Sequence, residues 1–416
     1  MTARPERGDG TRVVHAGLPA PVPGEPFLPG PVFAAPYHLD PATGPGENGY
    51  GRPDNPTRRA LEAAIGELEG GTVRAFATGQ AAITALLLSV LRSGDVIALP
   101  SDGYFTVRAF AEGTLRDLGV RTVLVPTAGP YPSFAGMRLV LWETPANPGL
   151  DVCDLRAVAA AARAEGALVA VDNTTATPLG QRPLDLGADV VVASGTKALT
   201  GHSDVLLGYV AVGHAAGGSA HGGAGGSAGG EAARGGAARG GAARGGAARG
   251  GAARGGAARG GDLVERVTTW RAQTGGVPGA FDCWLAHRSL ATLDLRLGRQ
   301  SANAAAVAEL LATRSDVTGL RWPGLVTDPS YAIARAQMRR IPGVLAFDLG
   351  SAGRVSRFLQ ASELIFAATS FGGLHTTADR RAQWGDDTAP GLVRLSCGIE
   401  DTADLVRDLC AALDAA

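Results

Sequence analysis

Lysine is almost absent from this sequence. Of its 38 basic residues only Lys197 is a lysine, and all the others are arginines. A bias towards Arg and Ala, as GC-rich coding produces, replaces lysine wherever a guanidinium group can serve. Arginine cannot serve where a neutral amine must attack a carbonyl carbon, because it stays protonated in proteins. Lys197 is therefore either a chance survivor or a nucleophilic amine, and its neighbours must decide between the two.

The sequence also lacks long apolar runs and cysteine clusters. No stretch approaches the roughly 18 consecutive apolar residues of a membrane-spanning helix, and Met1–Gly10 is polar, so we expect neither a membrane anchor nor a secretory signal. The formal net charge of -1 gives no reason to expect nucleic acid as a partner. We expect a cytoplasmic protein with reduced thiols and no bound metal, because four scattered cysteines have no CxxC spacing: Cys153, Cys283, Cys397 and Cys410.

Between residues 56 and 212 helix-like and strand-like segments alternate. Thr57–Glu69 has apolar residues at helical spacing and stops at a pair of glycines. Ala167–Asp172 and Asp189–Ala193 are apolar runs without alternation, which is typical of strands covered on both faces. This pattern predicts an α/β domain over residues 56–280, with a mainly parallel sheet between layers of helices.

The two ends of the chain differ from this middle part. Residues 1–55 are rich in Pro and Gly and have no long periodic segment, so we expect an arm that lies on the rest of the protein or on a neighbouring subunit. Phe281–Arg314 has a long helical pattern, and further strand-like and helix-like segments continue to a terminal helix from Asp401. We expect a smaller α+β domain over residues 281–416.

Residues 217–261 form a low-complexity insertion of Gly, Ala, Ser and Arg, in which Arg recurs every five residues from Arg234 to Arg259. No helix or strand period matches this repeat, and the composition offers too little apolar surface to offset the entropy of ordering. We expect a disordered surface insertion. The alternative is an Arg/Gly segment that binds RNA or another anionic surface.

The residues around Lys197 favour a nucleophilic amine. Lys197 lies in Ser194-Gly195-Thr196-Lys197, directly after a predicted strand, where the Ser194 and Thr196 hydroxyls can donate hydrogen bonds to a phosphate. Asp172 ends the strand before it. A carboxylate there can keep a pyridine nitrogen protonated, which makes the ring an electron sink. The alternative for Asp172 is a helix cap.

Three further segments have the chemistry that such a site needs. Thr78-Gly79-Gln80 joins a strand to a helix, and a helix start offers free N–H groups to an anion. The Tyr104 ring can lie on a planar cofactor. Arg394, on a predicted strand of the second domain, can bind a substrate α-carboxylate with its guanidinium fork. Core or surface packing is the alternative for Tyr104 and Arg394, and many α/β loops share the shape of the helix start.

Taken together and in order, these motifs resemble the cystathionine γ-lyase, cystathionine γ-synthase and methionine γ-lyase family, which are pyridoxal-phosphate enzymes of fold type I. The resemblance extends from Thr11 onwards, except for the insertion. Its motifs are Tyr50–Thr57, Thr78–Ile83, Glu143–Pro148, Val171–Thr174, Ser194–Lys197 with Gly201–Asp204, and Arg394–Glu400.

The resemblance implies pyridoxal 5'-phosphate as cofactor, held as a Schiff base on Lys197, which later moves protons. It implies that Asp172 pairs with the ring nitrogen, that Tyr104 stacks on the ring, and that Asn147 lies near the ring hydroxyl. It further implies a homotetramer of active dimers. The phosphate is then held by Gly79, Gln80, Ser194 and Thr196, with Tyr50 and Arg52 reaching it from the neighbouring subunit, and Arg394 binds the substrate carboxylate beside Ser370.

The implied reaction is cleavage of cystathionine to cysteine, 2-oxobutanoate and ammonia, with Tyr104 as proton donor to the leaving sulfur. γ-Replacement on an O-acyl homoserine and methionine γ-elimination are the alternatives inside the family, and an inactive scaffold is the alternative outside it. Thr369 stands where an acidic residue is expected before Ser370, and Phe371 replaces a commoner Leu. The segment after Tyr104 is one residue shorter than in the family. These departures concern the choice of substrate.

Overall fold

A computed structural model describes residues 7–214 and 260–416 of the chain. Almost all of the predicted insertion, residues 217–259, lies outside the described residues, so its expected disorder stays a prediction. Its last two residues were assigned wrongly, because Gly260 and Gly261 begin a helix. The helices are α1 (Asp9–His15), α2 (Pro56–Glu69), α3 (Gly79–Val90), α4 (Phe105–Phe110), α5 (Leu155–Ala164), α6 (Thr177–Gly180), α7 (Gly260–Thr274), α8 (Ala280–Leu290), α9 (Leu293–Ala312), α10 (Tyr331–Gln337), α11 (Ala352–Ala361) and α12 (Thr402–Asp414).

The first sheet has seven strands in the order β1-β7-β6-β5-β4-β2-β3. Only β7 runs against its neighbours β1 and β6, so the prediction of a mainly parallel sheet is confirmed. Two of its strands, β3 and β7, were not predicted. The strands are β1 (Gly71–Phe76), β2 (Val96–Pro100), β3 (Arg121–Val125), β4 (Leu139–Glu143), β5 (Leu168–Asp172), β6 (Val190–Ser194) and β7 (Gly208–Gly213).

Helices cover both faces of this sheet, as the unbroken apolar runs predicted. Val190 and Val192 of β6 pack in a core with α3 and α7, whereas Val191 and Ala193 of the same strand pack in a second core with α2 and α8.

The ends of α2 follow from its sequence. The Asn55 side chain accepts hydrogen bonds from the first turn, and Gly70 closes the helix in the left-handed conformation.

The second sheet has five strands in the order β10-β11-β12-β9-β8 and is mixed, as expected for an α+β unit. The second half of α9, with α11 and α12, packs on it around Phe347 and Phe358. The strands are β8 (Thr318–Arg321), β9 (Val344–Asp348), β10 (Phe366–Ala367), β11 (Thr377–Arg380) and β12 (Leu392–Ser396).

The long helical pattern from Phe281 is two helices, α8 and α9, with a break at Ala291 and Thr292. The first half of α9 packs with the first sheet through Leu293 and Leu297, and its second half packs with the second sheet. We therefore propose that the border between the predicted domains lies within α9 rather than at residue 281.

The N-terminal segment is partly bound to its own chain. Val13 and Ala16 are buried against α2 and α8, and a ring nitrogen of His287 lies 2.8 Å from the Ala16 carbonyl oxygen. The following residues expose large apolar side chains, above all Phe27 and Phe33. A contact between residues 18–55 and a neighbouring subunit stays a prediction.

Within residues 7–214 and 260–416, no helix is both long and apolar enough to cross a membrane. The same residues contain no cluster of three or more metal-ligating side chains.

Candidate active site

A cavity of about 380 Å³ lies at the carboxyl ends of β4, β5 and β6, where the second sheet approaches the first. Ligands of open α/β sheets bind at this edge, because the strand ends and their loops converge there. Lys197 and ten other predicted site residues line it, together with Thr78: Gly79, Gln80, Tyr104, Asn147, Asp172, Ser194, Thr196, Thr369, Ser370 and Arg394.

Lys197 lies in the turn that follows β6, and its amine faces the second sheet. Lys197 Nζ donates a hydrogen bond to Ser370 Oγ at 2.8 Å and lies 5.4 Å from the centre of the Phe371 ring. Burial, together with the nearby guanidinium groups of Arg394 and Arg381, lowers the pKa of Lys197 to about 8. A substantial fraction of this amine is therefore neutral near pH 8.

Ser370 has a backbone conformation that few non-glycine residues adopt, with φ of 79°. Its carbonyl oxygen accepts a hydrogen bond from Arg394 at 2.9 Å, and its hydroxyl oxygen accepts the one from Lys197. Two residues further on, Gly372 N–H donates to Ser396 Oγ at 2.8 Å. These contacts hold the strained turn in a position where it links the lysine to the arginine.

Arg394 on β12 is buried at the other side of the cavity, with 4% of its surface exposed. Its Nη1 donates to Asn147 Oδ1 at 2.8 Å, and its guanidinium lies 5.1 Å from the Phe371 ring centre. Burial lowers its pKa to about 10, which still leaves the group charged at neutral pH. The arrangement presents a fixed cation to the cavity.

Two buried carboxyl groups lie side by side at the ends of adjacent strands. Asp172 on β5 is in register with Glu143 on β4, and Asp172 Oδ1 accepts a hydrogen bond from Thr174 N–H at 2.9 Å. Burial raises the pKa of Asp172, and it raises that of Glu143 well above its usual value, with the Asp172 charge adding to the effect. Asp172 thus lies at the floor of the cavity, where a cationic ring nitrogen would stabilise its ionised form.

Glu143 also fixes the positions of two other site residues, a role that the sequence did not reveal. Its carboxylate accepts hydrogen bonds from the N–H groups of Tyr104, at 2.5 Å, and Asn147, at 3.0 Å. The Glu143 side chain is thereby satisfied internally. It sets where the Tyr104 ring and the Asn147 amide lie.

The start of α3 has the form of an anion cradle. The Thr78 side chain caps the helix by accepting from Ala81 N–H, and the N–H groups of Gly79 and Gln80 lie in the first turn, where a helix offers no internal acceptor. A Cβ atom on Gly79 would lie 2.6 Å from Ser194 Cβ, so only glycine permits this approach. Gln80 Oε1 is buried and has no hydrogen-bond partner among the described residues.

The Thr196 hydroxyl, which was expected to bind a phosphate, makes its hydrogen bonds within the protein. Thr196 Oγ1 donates to the Leu207 carbonyl oxygen at 3.2 Å and accepts from Leu207 N–H at 2.8 Å. Its hydroxyl therefore stabilises the turn that contains Lys197. Contact of Thr196 with a phosphate stays a prediction.

Tyr50 and Arg52 do not line the cavity of their own chain. The Arg52 guanidinium lies 5.8 Å from the Tyr50 ring centre and donates to the Ala272 carbonyl oxygen. Tyr50 is 49% exposed. Their expected action on a neighbouring subunit stays a prediction.

Helix α9 holds the two loops that carry Lys197 and Ser370. Buried Arg296 donates to the carbonyl oxygens of Ala198, at 2.8 Å, and Leu199, at 3.1 Å. One turn later, Gln300 Nε2 donates to the Gly373 carbonyl oxygen at 2.7 Å. Because residues four apart lie on one face of a helix, α9 fixes both loops at once. Polar side chains within an apolar helical pattern were the available sign of this role.

Three buried charged residues next to Arg394 were also missed: Asp379, Arg381 and Asp386. They lie in a Gly- and Asp-containing segment where neither strand nor helix was predicted.

Comparison with known proteins gives consistent matches along the chain. The family of Cys/Met metabolism PLP-dependent enzymes matches residues 33–414. A Streptomyces coelicolor protein named "Putative cystathionine gamma-lyase" is 49% identical over 98% of this chain and 94% of its own length. The cystathionine γ-synthase of Mycobacterium tuberculosis is 34% identical over 98% of this chain and 97% of its own. The crystal structure of a methionine γ-lyase from Micromonospora echinospora has a TM-score of 0.81 and 32% identity, covering 98% of this chain and 99% of that one.

Proposed function

The chain belongs to the Cys/Met metabolism PLP-dependent enzymes, and we propose that within this family it is a cystathionine γ-lyase, which converts cystathionine and water to cysteine, 2-oxobutanoate and ammonia. The family is one of fold-type-I pyridoxal-phosphate enzymes, and the expected fold class is confirmed by solved relatives that share the architecture over nearly the whole chain. The observation that carries the finer proposal is the 49% identity to the Streptomyces protein named for this activity.

The cavity fits pyridoxal 5'-phosphate by three independent features. The open helix start at Gly79 and Gln80 offers free N–H donors to a phosphate group. Asp172 supplies a buried carboxyl group for a protonated ring nitrogen. Lys197, the single lysine of the chain, projects into the same cavity. When bound, pyridoxal phosphate supplies an electron sink that acidifies the substrate Cα–H bond.

Lys197 is the proposed base. Its neutral amine accepts the proton from the substrate Cα at Nζ, and the low pKa keeps that amine available near neutral pH. Ser370 Oγ, 2.8 Å away, orients the amine during this transfer.

Arg394 is the proposed anchor of the substrate α-carboxylate. The guanidinium is fixed by Asn147 and by the Ser370 carbonyl group, and a carboxylate bound to it lies beside Lys197. Charge-assisted hydrogen bonds of this kind are stronger than neutral ones and are geometrically selective.

Tyr104 is the proposed proton donor to the leaving sulfur. Its ring lines the cavity next to Phe105, with 5.3 Å between the ring centres, while Glu143 fixes its backbone. The ring therefore has one apolar neighbour, and Tyr104 stays 37% exposed, so that its phenol can reach a γ-substituent in the cavity.

Cystathionine γ-synthase and methionine γ-lyase activities are the alternatives, since similar proteins carry those names. Of these two, methionine γ-lyase activity is favoured by Thr369, which lies at the cavity wall. A neutral hydroxyl there offers the distal ammonium of cystathionine no opposite charge to pair with. An inactive scaffold is disfavoured, because Lys197, Asp172 and Arg394 meet in one cavity.

We further propose a cytoplasmic homotetramer built of active dimers, in which Tyr50 and Arg52 complete the phosphate site of the neighbouring subunit. Both residues are exposed and are not among those that line the cavity of their own chain, which supports this assignment. The four cysteines form no disulfide, in keeping with a reducing compartment.

A parallel product assay tests the proposed reaction. Holoenzyme is incubated with cystathionine, with O-acetyl or O-succinyl homoserine plus cysteine, and with methionine. We expect 2-oxobutanoate and cysteine from cystathionine at the highest kcat/KM. Faster release of methanethiol from methionine, or faster net formation of cystathionine, would replace the proposal by the corresponding alternative. Thr369→Glu should increase the preference for cystathionine over methionine about tenfold, by adding a carboxylate that pairs with the distal ammonium.

A further inference from the structure

Four buried charged side chains form a row that ends at the cavity. Asp386 Oδ2 accepts from Arg381 Nε at 2.7 Å, and Asp379 Oδ2 accepts from Arg381 Nη1 at 2.9 Å. The other oxygen of Asp379 lies 3.2 Å from Arg394 Nη2. The row therefore alternates in charge from Asp386 through Arg381 and Asp379 to Arg394.

The backbone fixes the order of this row. Asp379 on β11 is directly opposite Arg394 on β12 in the antiparallel pair. Arg381 starts the turn that follows β11, and Asp386 lies in the loop after that turn. Arg381 and Arg394 both line the cavity, while Asp379 stands between their guanidinium groups.

Burial makes the alternation of charge necessary. Arg381, Asp379 and Arg394 are each 4% exposed, and Asp386 is 7% exposed. Charges removed from water to this extent are stable only when they are paired. The two carboxylates balance the two guanidinium groups, so the row adds no net charge beside Lys197.

Asp379 has the central place, because one carboxylate serves both arginines. Without its charge, the guanidinium groups of Arg381 and Arg394 would face each other in a buried space with only Asp386 to balance them. Arg394 would then turn away from Arg381 and lose its alignment with Asn147 Oδ1 and the Ser370 carbonyl group.

We propose that Asp379, Arg381 and Asp386 are positioning residues that aim Arg394 at the α-carboxylate of the amino-acid substrate, and that they thereby set the preference of the enzyme for a free carboxylate. This inference rests on the proposed role of Arg394 in substrate binding. It is independent of which sulfur substituent the enzyme removes.

The test compares binding of L-norleucine and L-norleucinamide to the holoenzyme by isothermal titration calorimetry. The two ligands differ only in the carboxylate. We expect wild-type enzyme to prefer norleucine, and Asp379→Asn to weaken norleucine binding by about tenfold to a hundredfold, the range that follows from losing one charge-assisted hydrogen bond. Norleucinamide binding should change by less than about threefold, because the amide carries no charge for Arg394 to bind.

Steady-state kinetics adds a second readout. In Asp379→Asn and in Asp386→Asn, KM for the amino-acid substrate should rise more than kcat falls. Arg381→Lys should keep part of the carboxylate preference that Arg381→Met loses, because an ammonium group still pairs with both aspartates. Asp387→Asn and Arg380→Lys are the matched controls, since each alters a neighbouring residue of the same type outside the row, and both should behave as wild type.

Three results would contradict the proposal. The first is an unchanged carboxylate preference in folded Asp379→Asn and Arg381→Met proteins. The second is an equal loss of affinity for norleucine and its amide, which would indicate a merely structural role. The third is an effect on kcat alone. A wild type that does not distinguish the two ligands would instead overturn the role of Arg394. An enzyme that passes this test but does not cleave cystathionine would overturn only the proposed reaction.

Discussion

Lys197 and Ser370 are 173 residues apart in the chain, and yet Lys197 Nζ donates a 2.8 Å hydrogen bond to Ser370 Oγ. The bond joins the turn after β6 of the first sheet to the strained turn before β11 of the second. It also places the proposed base next to the carbonyl group that holds Arg394. The packing of the two sheets against each other therefore determines where the reactive amine lies.

Removal of this contact should slow the chemical step. Ser370→Ala deletes the acceptor that orients the Lys197 amine, and we expect kcat to fall about tenfold, which is the effect of losing one hydrogen bond of roughly 1.4 kcal/mol. Steady-state kinetics on the holoenzyme provides the measurement. Ser356→Ala, a serine on the exposed side of α11, is the control and should retain full activity. A Ser370→Ala enzyme with wild-type kcat would show that the bond has no part in turnover.

The amine of Lys197 should titrate well below the usual range of a lysine. Burial and the nearby arginines lower its pKa to about 8, so in the apoprotein the rate of acylation by acetic anhydride should reach half its maximum near pH 8. Peptide mapping is simple, because the chain has no other lysine. The protein unfolded in urea is the control, with a midpoint near the ordinary value of 10.5. A native midpoint near 10.5 would contradict the buried, arginine-facing environment.

Much of this arrangement was accessible from the sequence. The apolar runs ending in Asp172 and Ser194 predicted buried parallel strands, and parallel strands bring their carboxyl ends to one edge. The strand pattern therefore predicted that Lys197 and Asp172 lie close together. It could not place Ser370 and Arg394 against them, because contact between two sheets depends on how α9 packs on both.

The missed features have a common physical cause. Asp379 and Arg394 pair through the register of β11 with β12, and residues 377–380 lack the alternation that identifies a strand. The direction of β7 was equally hidden, since Gly208–Gly213 leads into the Gly-rich insertion and pattern alone does not specify which way a strand runs. For Thr196 the local motif suggested a phosphate ligand, but its hydroxyl bonds to Leu207 on a neighbouring loop.

A buried carboxyl group outside the cavity lining should make the stability of the protein depend on pH. Glu69 at the end of α2 accepts a 2.6 Å hydrogen bond from the Tyr209 hydroxyl group, and burial raises its pKa from 4.5 to about 7. The folded state therefore holds a proton that the unfolded state releases above pH 4.5. The free energy of unfolding falls as the pH rises from 4.5 to 7, by at most about 3 kcal/mol from this group.

Glu69→Gln should remove that dependence. The variant should gain stability relative to wild type as the pH rises from 4.5 to 7, and the difference should stay constant above pH 7. Urea unfolding at several pH values measures it, with the exposed Glu309→Gln as control. A stability difference that is the same at pH 5 and pH 8 would mean that Glu69 is ionised in the folded protein.

The proposed action of Arg52 across a subunit boundary can be tested directly by mixing the subunits of two variants. Arg52→Ala and Lys197→Ala enzymes should each be nearly inactive. When their subunits are mixed and exchange, a mixed dimer has one site with both residues intact, so activity should return to roughly a quarter of wild type for random pairing in a two-fold dimer. No recovery after proven exchange would place Arg52 at the cavity of its own chain, or outside the active site altogether.

The central claim is that Lys197 holds pyridoxal phosphate. The direct measurement is borohydride reduction of the yellow holoenzyme, followed by peptide mapping of the fixed cofactor. We predict one adduct per chain, on the peptide that contains Ser194-Gly195-Thr196-Lys197, and no adduct in Lys197→Ala. An adduct on the N-terminal amine instead, or a protein that stays colourless after pyridoxal phosphate is added, would contradict the account.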